Sequence, residues 1–238
     1  HGLERFSDYL DLVEADPDDE AQAFVNALTT NLTSFFRENY HFGALAEQLL
    51  AADRDRVPGG QDRPLLIWCC AASTGEEPYS LAITACEAFG TLTPPVRILA
   101  TDIDTNVLQT AQRGVYPIDR IDALDVQRRR KFFQCGTGPN AGQCRVRPAL
   151  QALIEFRPLN LLDAHYGLRG GYTAVFCRNV MIYFDKPTQA QILQRITPLL
   201  TPTGRLYAGH SESFSHALDV VTPCGRTVYR ATAPKERE

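Results

Sequence analysis

The sequence predicts an α/β protein built on a doubly wound, mostly parallel sheet. Three observations carry this. From Leu65 onward, short apolar runs alternate with segments of helical periodicity, the pattern of strand–helix–strand crossovers. Residues 1–56 lack strand alternation and read as helices. Residues 131–161 hold short strand-like runs around a turn-rich loop, which reads as a small antiparallel insert. The expected plan is a helical N-terminal domain over 1–56, the α/β domain over 64–238 and an inserted β-subdomain over 131–161.

In chain order, Leu3, Phe6, Tyr9, Leu10 and Val13 fall at helical spacing, and an acidic turn with Pro17 inside it runs from Glu14 to Glu20. A second helix is expected through Phe24, Val25, Leu28 and Leu32. The uncharged polar cluster from Thr29 to Ser34 leads to a lone Arg37, which predicts a helix break with caps. Asp53 to Arg63, with Pro58-Gly59-Gly60, reads as a linker. The first strand is expected over 65–71 and the second over 96–101. In the insert, the runs are Lys131-Phe132-Phe133, Arg145-Val146-Arg147 and Leu153-Ile154-Glu155-Phe156, with Gly136–Gly142 as a turn between the first two. A strand at Tyr172–Cys177, a helix from about Pro187 to Leu200, and strands at Arg205–Gly209 and Arg226–Ala231 complete the chain.

Chemistry concentrates at two strand ends. After Leu65–Cys70 come Ala71-Ala72-Ser73-Thr74-Gly75-Glu76-Glu77-Pro78, small residues that let a ligand approach the backbone, then two carboxylates at a helix start. Those acids would repel a dinucleotide pyrophosphate, which disfavours a nicotinamide-dependent oxidoreductase. They suit a cationic or hydroxyl-rich ligand, and a nucleoside sulfonium such as S-adenosylmethionine is both. An ordinary strand-to-helix turn is the alternative. Asp102, 26 residues after Glu76, ends the second strand where such sheets hold ribose hydroxyls. From the residues alone, Asp102 or Asp104 could equally cap the next helix.

Composition narrows the class. The chain has 238 residues, 44% hydrophobic and 22% charged, as in ordinary globular domains. A net charge of −4 argues against a nucleic-acid partner. Seven cysteines without a CxxC pair argue for a reducing cytoplasm, with neither a disulfide frame nor a metal site. No apolar run reaches membrane-span length, so no membrane insertion is expected.

Six segments together resemble the CheR family of chemotaxis protein methyltransferases. They are Thr30–Arg37, Ala72–Ser80, Thr101–Asp104, Pro158–Leu162, Cys177–Asp185 and Gly209–Glu212, in order along nearly the whole chain. The resemblance implies transfer of a methyl group from S-adenosylmethionine to glutamates of chemoreceptors, leaving S-adenosylhomocysteine. It implies cofactor contacts at Asn31, Thr33, Arg37, Ala72, Glu76, Asp102, Asn160, Leu161, Arg178 and Asn179. Arg37 would pair with the methionyl carboxylate, Asn160 and Leu161 would lie by adenine, and Arg178 and Asn179 would face the sulfonium. Tyr183 and Arg178 are the expected catalytic residues, with Tyr183 donating its hydroxyl to the acceptor carboxylate.

The resemblance also implies partners. They are the cytoplasmic part of a chemoreceptor and a short peptide tethered to the receptor C-terminus. The turn Gly136-Thr137-Gly138-Pro139 matches members that recognise such a peptide, which makes Gly136 and Gly138 expected docking residues. Arg145 and Arg147, alternating on one face of the insert's middle strand, are expected to meet an acidic side chain of it. A basic helix precedes the segment corresponding to Gly2–Glu14 in family members, and this chain starts after it, so a truncated N-terminal domain is expected. Residues 1–56 carry four arginines, no lysine and twelve acids. A methyltransferase of similar fold acting on a small molecule or an unrelated protein is the rival among enzymes, disfavoured by the Gly136–Pro139 turn. A sensor that binds the cofactor without catalysis is the rival from another class, disfavoured because Tyr183, Arg178 and Asn179 are all present.

Overall fold

A computed structural model of the chain describes residues 1–3, 5–16, 19–56 and 63–233. Two short helices, α1 (Phe6–Ala15) and α2 (Glu20–Leu28), pack on each other through Phe6, Tyr9 and Phe24. Helix α2 ends at Leu28 rather than continuing to Leu32, because the backbone turns extended at Thr29, whose side chain is held by the neighbouring Asp104. Helix α3 (Tyr40–Arg54) is different in kind. Its Phe42, Leu45 and Leu49 recur on one face and bury against Ile67, Phe176 and Tyr207 of the main core. The predicted linker falls largely at 57–62, and the acidic turn's Pro17 and Asp18 also lie outside the described residues.

The central sheet contains β1 (Leu65–Cys70), β2 (Val96–Asp102), β6 (Ile154–Pro158), β7 (Tyr172–Cys177), β8 (Leu200–Tyr207), β9 (Val221–Gly225) and β10 (Val228–Ala231). Its order is β6-β2-β1-β7-β8-β10-β9; the first five strands run parallel, and β10 is antiparallel to both its neighbours. Strand order reverses between β1 and β7, and in such folds ligands bind beyond the carboxyl ends of the strands at that point. Helices α4 (Glu76–Ala88) and α3 cover one face. On the other, α8 (Lys186–Ile196) buries Ile192, Leu193 and Ile196 against Trp68, Val175 and Leu206. Leu200, expected to end that helix, opens β8 instead, after a 3₁₀ turn over Thr197–Leu199. Helix α5 (Thr105–Arg113) follows β2. Among the described residues, no helix is long and apolar enough to cross a membrane.

The insert is built differently from expectation. A three-stranded antiparallel sheet has the order β3 (Val115–Pro117), β5 (Gln143–Val146), β4 (Phe133–Cys135). Lys131 and Phe132 close helix α6 (Val126–Phe132). The run at 153–156, read as the insert's third strand, belongs to β6 and pairs in parallel with β2, Ile98 opposite Ile154. Its partner could not be told from its own residues, since a half-buried apolar run suits either sheet. Arg145 is exposed on β5, whereas Arg147 lies one residue beyond it and donates from Nη2 to Arg130 O at 3.1 Å. The two arginines therefore do not form one strand face. A short helix α7 (Pro148–Gln151) leads back to the main sheet.

Candidate active site

At the strand switch point lies a cavity of about 580 Å³. The ends of β1, β2, β6 and β7 form its floor through Ala71, Ser73, Asp102, Leu161 and Arg178, and Leu28 at the end of α2 and the segment after it form a wall with Asn31, Thr33 and Arg37. A polar staple holds that wall. Thr29 Oγ1 and Asn31 Nδ2 donate to one oxygen of Asp104 at 2.6 and 3.0 Å, while its other oxygen caps α5 by accepting from Asn106 N and Val107 N. Gln22 and Asn26 reach Ile103 O and Thr105 Oγ1 at 2.9 and 3.1 Å. Helices α1 and α2 hold no buried residue, so these bonds supply much of their attachment.

The charge centre is Arg178, whose side chain has no exposed surface. Its guanidinium pairs with Glu77 at one end and with Glu38 Oε2 at 3.2 Å at the other, and Nη2 donates to Arg37 O at 2.6 Å. Burial opposes its charge, and the two carboxylates more than offset that, raising its pKa. Glu38 also takes His210 N at 3.0 Å, His210 Nδ1 at 2.9 Å and Asn179 Nδ2 at 3.3 Å. Burial alone would lift the Glu38 carboxyl, but the His210 bond and the Arg178 charge hold it at about 2. Two carboxylates against one guanidinium leave a net negative site, and Glu77 lines the cavity. The Cys69 thiol, kept protonated by burial and by Glu77, donates to Glu77 Oε1 at 3.3 Å.

Asp102 is buried, and its oxygens accept from Ser73 N at 2.8 Å and Asp104 N at 3.0 Å. Burial raises its pKa against those bonds. The segment Gly209-His210-Ser211-Glu212 acquires a physical role. Glu212 accepts from Gly209 N, Asn179 N and Met181 N at 2.5, 3.0 and 2.8 Å, fixing the turn that carries Tyr183 to the cavity rim. A Cβ at Gly209 would sit 2.5 Å from Asn179 Nδ2, so no larger residue fits there without displacing that turn. Phe36, Glu38, Ala71, Ser73 and Asn179 all have left-handed backbones, with φ between 48° and 60°. Outside glycine that costs about 1–3 kcal/mol each and marks segments held in place by their surroundings.

Eight of the ten expected cofactor residues line the cavity: Asn31, Thr33, Arg37, Asp102, Asn160, Leu161, Arg178 and Asn179. Tyr183 lines it as well. Two expectations are corrected. Glu76 is wholly buried away from it, bound by Arg120 and by Thr74 Oγ1 at 2.6 Å, and Glu77 takes its place. Ala72 is buried with its N–H on Thr101 O, and its neighbour Ala71 faces the cavity. Both terminal nitrogens of Arg178 are engaged by protein groups, which makes it an organiser of the site, while its buried Nε has no hydrogen-bond partner. Asn160 uses Oδ1 to accept from Leu162 N at 2.9 Å, shaping the loop after β6. Glu38 is the functional residue that sequence reasoning missed; its position directly after Arg37 was the available signal.

The donor set fits an adenosyl sulfonium. A buried carboxylate ends β2, Leu159, Leu161 and Val180 offer an apolar surface for a base, a net negative centre faces a cation, and Arg37, with Nη1 on Leu32 O at 2.9 Å, brings a guanidinium to the wall. Comparison with known proteins agrees. The family profile of the CheR methyltransferase, SAM binding domain matches residues 31–230. The chain is 52% identical over 227 residues to chemotaxis protein methyltransferase 2 of Pseudomonas aeruginosa, covering 95% of this chain and 79% of that protein. It is 50% identical over 235 residues to the chemotaxis protein methyltransferase of Klebsiella aerogenes, with 98% and 78% covered. For that of Escherichia coli the identity is 48% over 229 residues, with 96% and 77% covered. The chain belongs to the CheR family, the S-adenosylmethionine-binding chemotaxis protein methyltransferases.

Proposed function

We propose that this enzyme methylates glutamate side chains of chemoreceptors, giving glutamate methyl esters that tune receptor adaptation. The observation that carries this is the rim: Tyr183, 61% exposed, stands on the Glu212-pinned turn beside the cavity. When bound, S-adenosylmethionine supplies an electrophilic methyl group whose C–S bond breaks as a C–O bond forms. Its acceptor carboxylate is already ionised, so the chain needs to supply position rather than a strong base. Tyr183 donates its hydroxyl to one acceptor oxygen and leaves the other to react. Glu77 holds the methionyl ammonium, Arg37 the methionyl carboxylate as a planar fork, and Asp102 the ribose hydroxyls. Asn160 and Leu161 border the adenine, while Asn31 and Thr33 reach from the N-terminal wall towards the methionine end. Charge disappears during transfer, and a site closed to water favours that loss.

Tyr183→Phe is expected to lower kcat and kcat/KM together by about tenfold, the value of one hydrogen bond of about 1.4 kcal/mol made mainly in the transition state. Receptor methylation kinetics measure it, and wild-type turnover would leave the tyrosine as packing. Asp102→Ala is expected to weaken S-adenosylhomocysteine binding by roughly 1.5–3 kcal/mol in calorimetry. Unchanged affinity would remove Asp102 from the ribose.

A receptor-tethered peptide is the second partner in this reading. The outer edge of β4 is unpaired in the small sheet, and an extended peptide adds to such an edge as a strand. The turn at Gly136 and Gly138 would shape its end, and exposed Arg145 would meet an acidic side chain.

A further inference from the structure

We propose that Cys135 and Cys144 form a reversible disulfide when the enzyme meets hydrogen peroxide, a modification site in the small sheet. The two residues face each other across β4 and β5. Arg147 N donates to Phe132 O at 2.9 Å and Gly136 N to Gln143 O at 2.8 Å. Those two bonds bracket the ladder so that Phe133–Val146 and Cys135–Cys144 are its non-hydrogen-bonded pairs. In such a pair the Cα atoms stand about 4.5 Å apart with both side chains on one face. Disulfides span Cα separations of roughly 4.4–6.8 Å, so the pair closes without moving the strands apart, at the short and strained end of that range.

The two thiols have different surroundings. Cys135 is exposed and Cys144 is buried. Burial pushes the Cys144 thiol up to about 11, so it stays protonated and out of reach of an oxidant. Cys135 therefore reacts first. Its thiolate sulfur attacks one peroxide oxygen, the O–O bond breaks, and the departing hydroxide takes a proton to become water, leaving a sulfenic acid. Cys144 sulfur, giving up its proton, then attacks that sulfenyl sulfur. An S–S bond forms, the S–O bond breaks and a second water leaves. Two thiols are oxidised and one peroxide is reduced to two waters.

Position gives the bond a consequence. Cys135 is the last residue of β4, and as a non-hydrogen-bonded position it turns its backbone N–H and C=O away from β5, towards the open edge. The Gly136–Gly142 turn connects the two cysteines, so the bond would clamp that hairpin at its base. Any effect on peptide docking rests on the docking reading above, whereas formation of the bond does not.

The test treats the whole enzyme with hydrogen peroxide, blocks remaining thiols with an alkylating maleimide and maps the digest by mass spectrometry. Expected is a single peptide that spans Cys135 and Cys144, with no cleavage site between them, lighter by two hydrogens than its reduced form, unlabelled by the maleimide, and doubly alkylated once dithiothreitol has opened it. Cys224, the other exposed thiol, has no cysteine opposite it on β10 and serves as the internal comparison. In Cys144→Ala the sulfenic acid at Cys135 should persist and be trapped by a dimedone probe. If Cys135 in the wild-type enzyme remains alkylatable, goes on to a sulfinic acid, or links to Cys224 of another copy instead, the proposal fails. Peptide titration of the oxidised and reduced enzyme is a separate measurement. Equal affinity there, with the cross-link present, would sink the docking consequence and leave the disulfide standing.

Discussion

Arg178→Ala is expected to destabilise the enzyme by about 3–5 kcal/mol, because it strands two nearly buried carboxylates without their counter-charge. Glu38 and Glu77 side chains are only 10% and 12% exposed, so water cannot take over from the guanidinium. At roughly 2–4 °C per kcal/mol for a chain of this size, the melting temperature should fall by about 6–20 °C. Arg178→Lys should fall between, since one ammonium cannot span both carboxylates with the geometry of a fork. The same substitution removes the bond to Arg37 O, so S-adenosylhomocysteine should protect the variant less against heat than it protects the wild type. Calorimetric melting with and without ligand measures both. A shift under two degrees would mean that the carboxylates find other partners and that Arg178 does not organise the site.

The second large effect is acid sensitivity through His41. Its imidazole is wholly buried on α3, with Nε2 and Thr227 Oγ1 sharing a hydrogen bond of 3.0 Å. Burial, with help from the Arg178 charge and against the attraction of Glu38, lowers its pKa from 6.5 to about 4. The unfolded chain therefore takes up this proton below about pH 6.5, while the folded chain refuses it until about pH 4. Stability from His41 is complete above that window and is lost as pH falls through it, on the order of 3 kcal/mol in all. Glu38 acts in the same sense lower down, between its usual 4.5 and about 2. Asp102 and Glu212, raised by burial, work in the opposite sense. The difference between wild type and His41→Gln isolates the imidazole. Urea midpoints from pH 7 to pH 4 should drop more steeply for the wild type, and parallel curves would show that His41 is protonated in the fold.

Much of this molecule is legible in its residues, and the failures have physical causes. Leu65–Cys70 and Tyr172–Cys177 are strands because central parallel strands, buried on both faces, demand unbroken apolar runs. The cavity was readable as small residues and acids at strand ends. Which acid faces inward was not. Glu76 and Glu77 differ by about 100° around α4, and the helix phase is set by what Arg120 and Arg178 reach, contacts 44 and 101 residues away in sequence. Glu38 escaped for the same reason, since its partners Arg178 and His210 come from distant segments. Strand β9 escaped because Pro223 and Gly225 interrupt its pattern, which an edge strand tolerates. The misplaced run at Ile154 shows that a strand announces itself by its residues but finds its neighbour through topology.

The left-handed residues around the cavity constrain how this enzyme can diverge. Surface loops normally absorb substitution most freely. Here the turn after β1 inverts that expectation, because Ala71 and Ser73 occupy backbone angles that β-branched side chains resist. Glycine would relieve the strain most fully, with asparagine and aspartate next, yet glycine would enlarge the conformational freedom of the unfolded chain and loosen the turn. Sequence drift at these positions is thus confined to a few small residues, while the helices behind them are free to exchange one apolar side chain for another. A lineage of such enzymes would change its outer surfaces long before it changed the shape of this turn.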